Sequence, residues 1–224
     1  MTVQCVFFDC DGTLVDSERL CTQAYVNTFA PFGVELSMQE MFEKYKGVKL
    51  YDIISDVCTQ HQLTATVEEL EPAYRKEVAR LFDLQLEPIA GAKALLEKMA
   101  VPICVVSNGT VSKMQHSLGL TGMLSFFDDR LYSGYTINSW KPDADLLLYA
   151  AKQMGIPIEN CILVDDSAAG AQAGISAGIP VFYFCADAHN KPLDHPLATS
   201  FTDLAQLPEI WQARDWRLTT EDVQ

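Results

Sequence analysis

Positive charge is scarce in this sequence. Sixteen Lys and Arg face thirty Asp and Glu, a formal net charge of −14 with His neutral. Non-specific nucleic-acid binding runs on Lys and Arg against phosphates, so this balance argues against it. The same sign disfavours an anionic membrane surface, and an anionic small molecule would need a local basic pocket to overcome the overall field. Long apolar runs are missing too: none approaches the ~20 residues that span a bilayer. No basic segment leading into an apolar stretch opens the sequence, so no secretory leader is expected and the cytoplasm is the expected location. There is no C-x-x-C pair. The cysteines number seven (Cys5, Cys10, Cys21, Cys58, Cys104, Cys161, Cys185), an odd count scattered along the chain. They read as small buried hydrophobes in a reducing compartment rather than a disulfide framework. His61, His116, His189 and His195 show no metal-ligand spacing, which argues against zinc.

What remains is a globular composition, 49% hydrophobic and 21% charged over 224 residues. That length suits one large domain or one domain carrying an insertion. Short apolar runs at 3–8 (VQCVFF), 101–106 (VPICVV), 131–133, 161–164 (CILV) and 181–184 (VFYF) read as buried strands. Helical periodicity fills 89–99, 110–118, 143–154 and 167–177 between them. Alternation of that kind predicts an α/β fold, a doubly wound parallel sheet with helices on both faces. One stretch breaks the rhythm. Residues 20–32, 38–45, 50–61 and 67–84 are all amphipathic helices without a convincing strand. The expected organisation is an α/β core of residues 1–16 and 87–224 with a helical subdomain of 17–86 inserted, hinged at 16–17 and 86–88. Gly170, Gly174 and Gly178 form a doubled G-x-x-x-G, which is expected to let a helix pack closely on the sheet.

In an open parallel sheet, ligands bind beyond the carboxyl ends of the strands. Asp9-Cys10-Asp11-Gly12-Thr13 follows the first run, Ser107-Asn108-Gly109 the second and Asp165-Asp166-Ser167 the fourth. Any one of these could be only a turn or a helix cap. All three are expected to meet on one edge. Four Asp side chains in one crevice repel one another unless a cation sits among them. An all-oxygen set without His or Cys suits Mg²⁺. An Asp in such a site can act as a nucleophile and form an aspartyl-phosphate. Lys141, in Ser139-Trp140-Lys141-Pro142-Asp143 before a predicted helix, is the candidate cation opposite the metal.

These residues resemble the haloacid dehalogenase-like superfamily. Asp9-x-Asp11-Gly12-Thr13-Leu14-Val15-Asp16-Ser17 is similar to its first signature and Ser107 to its second. Lys141 in WKPD is similar to the third and Asp165-Asp166 to the fourth, in order and over essentially the whole chain. The resemblance implies a core with strand order 5-4-1-2-3 and makes the helical insertion a small cap. Asp9 is then the nucleophile and a Mg²⁺ ligand. Asp11 is the general acid and later the general base, and touches the metal through its backbone carbonyl. Thr13 orients Asp11; Ser107 and Asn108 hold phosphoryl oxygens, with Thr13 lining the same substrate site. Lys141 neutralises charge between Asp9 and the phosphate, and Asp165 and Asp166 complete the metal site.

Dehalogenases and phosphonate hydrolases of the superfamily lack the second aspartate, so the presence of Asp11 disfavours both chemistries. The β-phosphoglucomutases carry a histidine on the first cap helix where Cys21 stands, which favours hydrolysis over a mutase. A non-catalytic binding protein on the same scaffold is a further alternative, disfavoured because every motif residue is present. Lys46 and Lys49 flank Gly47-Val48 between two cap helices and are expected to clamp a second anionic group of the substrate. KGVKLY, SGY…WKPD, ILVDDS and VFYFCAD…HNKP resemble the branch acting on phosphorylated sugars and sugar acids. The implied partner is a small phosphorylated metabolite, with 6-phosphogluconate the leading substrate; no nucleic acid or membrane partner is expected, and the oligomeric state is left open. Tyr183–Asp187 followed by His189-Asn190-Lys191-Pro192 is expected to be a surface loop ending the sheet, and Trp211 and Trp216 are expected to pack on the core.

Overall fold

The structure is a computed structural model and describes residues 2–45, 48–186 and 190–220. The chain forms two compact units, one of residues 1–15 and 87–224 and one of residues 16–86.

In the first unit, β1 (Cys5–Phe8), β2 (Ile103–Ser107), β3 (Leu131–Ser133), β4 (Cys161–Asp165), β5 (Val181–Phe184) and β6 (Ala198–Phe201) make one sheet in the order β3-β2-β1-β4-β5-β6. Every pairing is parallel. β1, β2, β4 and β5 are buried along their whole length. Helices on both faces demand near-continuous apolar strands, and these four supply them. The expected order of five strands holds. A sixth, β6, extends the sheet beyond β5 and is not among the expected strands. Its sequence, ATSF, is mostly half-exposed and carries little apolar signal, so pairing with β5 decides its conformation.

The inserted unit comprises α1 (Glu18–Phe29), α2 (Met38–Tyr45), α3 (Leu50–Gln60) and α4 (Val67–Gln85). Their buried faces follow the apolar periodicity, for example Leu70, Tyr74, Val78, Leu81 and Phe82 on α4. Tyr25 stacks on Tyr74 with ring centroids 4.1 Å apart, and Asn27 Nδ2 donates to Glu77 Oε1 at 2.6 Å, which ties α1 to α4. A capping box of Thr66 and Glu69 starts α4. Tyr45 donates to Asp56 at 2.6 Å and joins α2 to α3.

The chain returns to the first unit through α5 (Ala92–Lys98), followed by α6 (Val111–Leu120), α7 (Gly134–Ile137), α8 (Asp145–Met154), α9 (Ala168–Ser176) and α10 (Leu207–Gln212). A bridge between Val15 and Pro88, and the Ile89 N–H on the Leu14 carbonyl at 2.9 Å, pin the departing and returning chain together. Cys5, Cys104 and Cys161 sit fully buried in the core, and all seven cysteines are free thiols, as expected. Trp211 is fully buried with its ring edge-on to Phe182, and Trp216 meets Phe182 as well.

The doubled G-x-x-x-G has three different uses. A Cβ on Gly174 would lie 2.3 Å from a methyl of Val181, so that glycine lets α9 approach the sheet. A Cβ on Gly170 would lie 1.9 Å from Asp165 Oδ2, so that glycine makes room for a carboxylate instead. Gly178 adopts φ +73° in the turn that follows the helix, a conformation glycine enters without steric cost. No helix among the described residues is long and apolar enough to cross a membrane.

Candidate active site

Strand register assembles the site. Phe8 pairs with Val164 on one side and Val105 on the other. The next residue of each chain therefore falls in one row: Asp9, Asp165 and Val106. Lys141 spans that row. Its Nζ donates to Asp9 Oδ1 at 2.7 Å, to Asp165 Oδ2 at 2.7 Å and to the Val106 carbonyl at 3.2 Å. An ammonium has three donors, and all are used. The lysine side chain is only 2% exposed. Burial works against its charge, but Asp165 and Asp9 outweigh burial and hold it protonated well above the ordinary lysine range. Burial pushes the Asp9 carboxyl up to about 7, with Lys141 pulling the other way and Asp165 adding to the rise.

Each remaining group is fixed by its neighbours. Asp165 is fully buried and its Oδ1 accepts from both the backbone N–H and the hydroxyl of Ser167, at 2.8 and 2.7 Å. Ser167 in turn caps α9 through the Gly170 N–H. Asp166 exchanges two bonds with Thr13: the hydroxyl donates to Oδ1 at 2.9 Å, and the Asp166 N–H donates back at 3.1 Å. A Cβ on Gly12, at φ +78°, would lie 2.4 Å from Asp166 Oδ2, so only glycine fits beside this carboxylate. Asp9 Oδ2, by contrast, has no hydrogen-bond partner among the described residues, and its side chain is 8% exposed.

Asp9, Asp165 and Asp166 each present an oxygen within 4.8 Å of the others, the one such acidic, histidine or cysteine cluster among the described residues. If all three carboxylates ionise, one ammonium leaves two negative charges in a buried place, a large penalty in low dielectric that agrees with the raised Asp9 value. A divalent cation would neutralise them, and the all-oxygen donor set suits Mg²⁺. The side chain of Asp11 stands outside that cluster.

Several expected contacts are made by other partners. The Thr13 hydroxyl bonds Asp166 rather than Asp11. The Asn108 carboxamide, expected at the phosphoryl oxygens, pairs with the Lys141 backbone: Nδ2 donates to its carbonyl at 3.0 Å and Oδ1 accepts from its N–H at 2.8 Å. Ser107 Oγ, 2% exposed overall as a residue, accepts from the Gly109 N–H at 3.0 Å, which leaves its proton to give. Pro142 follows Lys141 through a cis peptide bond in a turn ahead of α8. Lys49 is exposed at the N-cap of α3, and Lys46 lies outside the described residues.

Two residues escaped the reading of the sequence. Lys113 Nζ lies 2.9 Å from both Oδ1 and Oδ2 of Asp11. Asn190, from the segment expected to be a surface loop, is buried and donates through Nδ2 to the carbonyls of Asp166 and Phe184, at 2.7 and 3.2 Å. A lysine at the third position of a helix is misplaced for the helix dipole, which is the signal that marks Lys113. Nothing local marks Asn190.

Residues 6–184 match the model of the haloacid dehalogenase-like hydrolases. The chain is 58% identical over 217 residues to the 6-phosphogluconate phosphatase of Escherichia coli (strain K12), covering 97% of this chain and 98% of that one. It is 22% identical over 184 residues to a phosphorylated carbohydrates phosphatase of Thermotoga maritima, covering 81% and 84%. A solved conserved haloacid dehalogenase-like protein of Agrobacterium tumefaciens str. C58 superposes with a TM-score of 0.79 at 25% identity, covering 95% and 99%. Strand-end carboxylates, the lysine bridging them and a match over most of the length agree with one another: the chain belongs to the haloacid dehalogenase-like hydrolases.

Proposed function

We propose that this protein is a Mg²⁺-dependent phosphatase that hydrolyses 6-phosphogluconate through a phosphoryl group carried on Asp9. The observation that carries this reading is Asp9 itself. Lys141 holds one of its oxygens and leaves the other without a partner, beside the only buried carboxylate cluster among the described residues. The likeness to the Escherichia coli 6-phosphogluconate phosphatase over nearly the whole of both chains supports the substrate.

The side chains of Asp9, Asp165 and Asp166, with the backbone carbonyl of Asp11, would hold Mg²⁺. When bound, the ion supplies positive charge against the phosphoryl oxygens. Asp9 attacks phosphorus as the bond to the sugar-acid oxygen breaks, and Asp11 gives that oxygen its proton. Asp11, now a carboxylate, takes a proton from water as the water oxygen attacks phosphorus. The Asp9 carboxylate and inorganic phosphate are released. Proton transfer of this kind contributes about 10²–10⁴-fold. The Ser107 hydroxyl donates a hydrogen bond to a phosphoryl oxygen. Lys141 keeps Asp9 aimed and offsets the charge that gathers there, while Asn108 acts on the phosphate through the Lys141 backbone it holds. Thr13 acts at one remove, by orienting Asp166.

Lys49 and Lys46 of the helical unit are proposed to bind the carboxylate at the far end of the substrate. Replacing both with Ala should raise KM for 6-phosphogluconate more than for glucose 6-phosphate. The test of the whole reading is phosphate release from a panel of 6-phosphogluconate, glucose 6-phosphate, β-glucose 1-phosphate and phosphoglycolate, with Mg²⁺ and with excess chelator. Release led by 6-phosphogluconate and abolished by chelator is expected. Isomerisation of β-glucose 1-phosphate without release, or release that chelator does not touch, would overturn it.

A further inference from the structure

We propose that Lys113 is a positioning residue for the proton carrier, holding the Asp11 side chain where it meets the leaving oxygen. This deepens the phosphatase reading and holds only if Asp11 carries the proton.

The local sequence gives Lys113 a poor reason to be where it is. It is the third residue of α6, a helix whose first turn is fixed by Thr110 Oγ1 accepting the Lys113 backbone N–H. Cations are disfavoured at that end of a helix, where the dipole is positive. In a chain of net charge −14, a lysine has many better positions. A residue that breaks a local rule marks either strain or function.

The geometry points to function. Lys113 Nζ sits 2.9 Å from both oxygens of Asp11, across 102 residues of sequence. The two side chains are 24% and 25% exposed, so the pair is neither inside the core nor out in solvent. Gly109 lies beside it. A Cβ there would lie 3.3 Å from Ser107 Oγ, 3.5 Å from Asp11 Oδ2 and 3.7 Å from Lys113 Cδ. The Ser107 hydroxyl, an Asp11 oxygen and the lysine stem thus all gather around Gly109. Lys113 and Lys141 thus divide the work. The buried lysine aims the aspartate that attacks phosphorus, and the half-buried one aims the aspartate that handles the proton.

The consequence is selective. An alkyl phosphate needs a proton on its leaving oxygen, whereas 4-nitrophenyl phosphate expels a stable phenolate without one. The test is the single-turnover rate of bond cleavage for 6-phosphogluconate and for 4-nitrophenyl phosphate. It is measured for the wild type, Lys113→Met, Lys113→Gln, Lys113→Arg and Asp11→Asn. The ratio of the two rates on one preparation does not depend on how much of a variant is folded. Lys113→Met and Lys113→Gln should slow alkyl cleavage by about tenfold or more, and aryl cleavage by no more than about threefold, as a part of the general-acid contribution. Lys113→Arg should restore most of the loss. If Asp11→Asn shows this selectivity and the Lys113 variants slow both substrates equally or neither, the positioning role is wrong and the phosphatase reading stands. If Asp11→Asn itself spares alkyl cleavage, Asp11 is not the proton carrier, and the assignment of both residues falls.

Discussion

Asn108→Ala tests how Lys141 is held in place. The Asn108 carboxamide imitates a strand partner for the Lys141 backbone, with one bond in each direction at 3.0 and 2.8 Å. A typical hydrogen bond contributes about 1 kcal/mol net, so losing both destabilises the unit by about 2 kcal/mol. Ser133 Oγ also donates to the Gly109 carbonyl at 2.6 Å, so the two strand-end loops keep a second tie, and the fold should survive. Lys141 then loses its fixed backbone, and a displacement of about 1 Å at such a group costs on the order of 10²-fold in kcat. Asn108→Asp keeps the shape but sets an oxygen against the Lys141 carbonyl, and should be no more stable than the Ala variant. The assay is urea unfolding without substrate, followed by tryptophan fluorescence. Trp140, Trp211 and Trp216 all lie in the sheet-bearing unit, so the signal reports the unit that is perturbed. A loss under about 0.5 kcal/mol for Ala, or an Asp variant as stable as the parent, would refute the tie between Asn108 and Lys141.

Gly170→Ala forces a methyl to within 1.9 Å of Asp165 Oδ2, so the carboxylate must move; stability should fall by about 1–3 kcal/mol and kcat by at least about tenfold. Gly174→Ala, which meets a Val181 methyl instead, should match it in thermal melting while keeping far more activity. In the helical unit, the Arg80 guanidinium holds the Glu77 carboxyl down at about 2, with burial opposing and Asn27 assisting. Because the folded value is depressed, the stabilisation is complete above the unfolded value of about 4.3 and is lost as pH falls through about 2. Melting curves by circular dichroism should therefore show wild type and Glu77→Gln converging over that window; a gap that is unchanged at pH about 2 would contradict the linkage.

The positions of the chemistry were legible because a parallel sheet gathers strand ends. Asp9, Ser107 and Asp165 each close or follow a continuous apolar run, and the register of β1 with β2 and β4 sets Asp9 level with Asp165, with Ser107 one residue beyond that row. Their partners were not legible. Thr13 finds Asp166 across 153 residues, Asn108 finds the Lys141 backbone across 33 and Asn190 finds the Asp166 carbonyl across 24. No local pattern encodes such pairs, and polar side chains of these types are just as common in turns. Gly12 and Gly170 illustrate the same limit. Their lack of a side chain matters because a carboxylate from elsewhere occupies the space. β6 escaped for a related reason: its half-exposed ATSF segment becomes a strand by pairing with β5 rather than by its own composition.

The central claim is that Asp9 carries the phosphoryl group, and trapping that group tests it most directly. Asp11→Asn treated with Mg²⁺ and 4-nitrophenyl phosphate should form the aspartyl-phosphate, which needs no proton donor with this leaving group, and then hydrolyse it slowly. Acid quenching and peptide mass spectrometry should find the mass of one phosphoryl group on the peptide containing Asp9, and none when Asp9→Asn is added to the same chain. A phosphoryl group on any other residue, or equal labelling of the doubly substituted protein, would contradict the account.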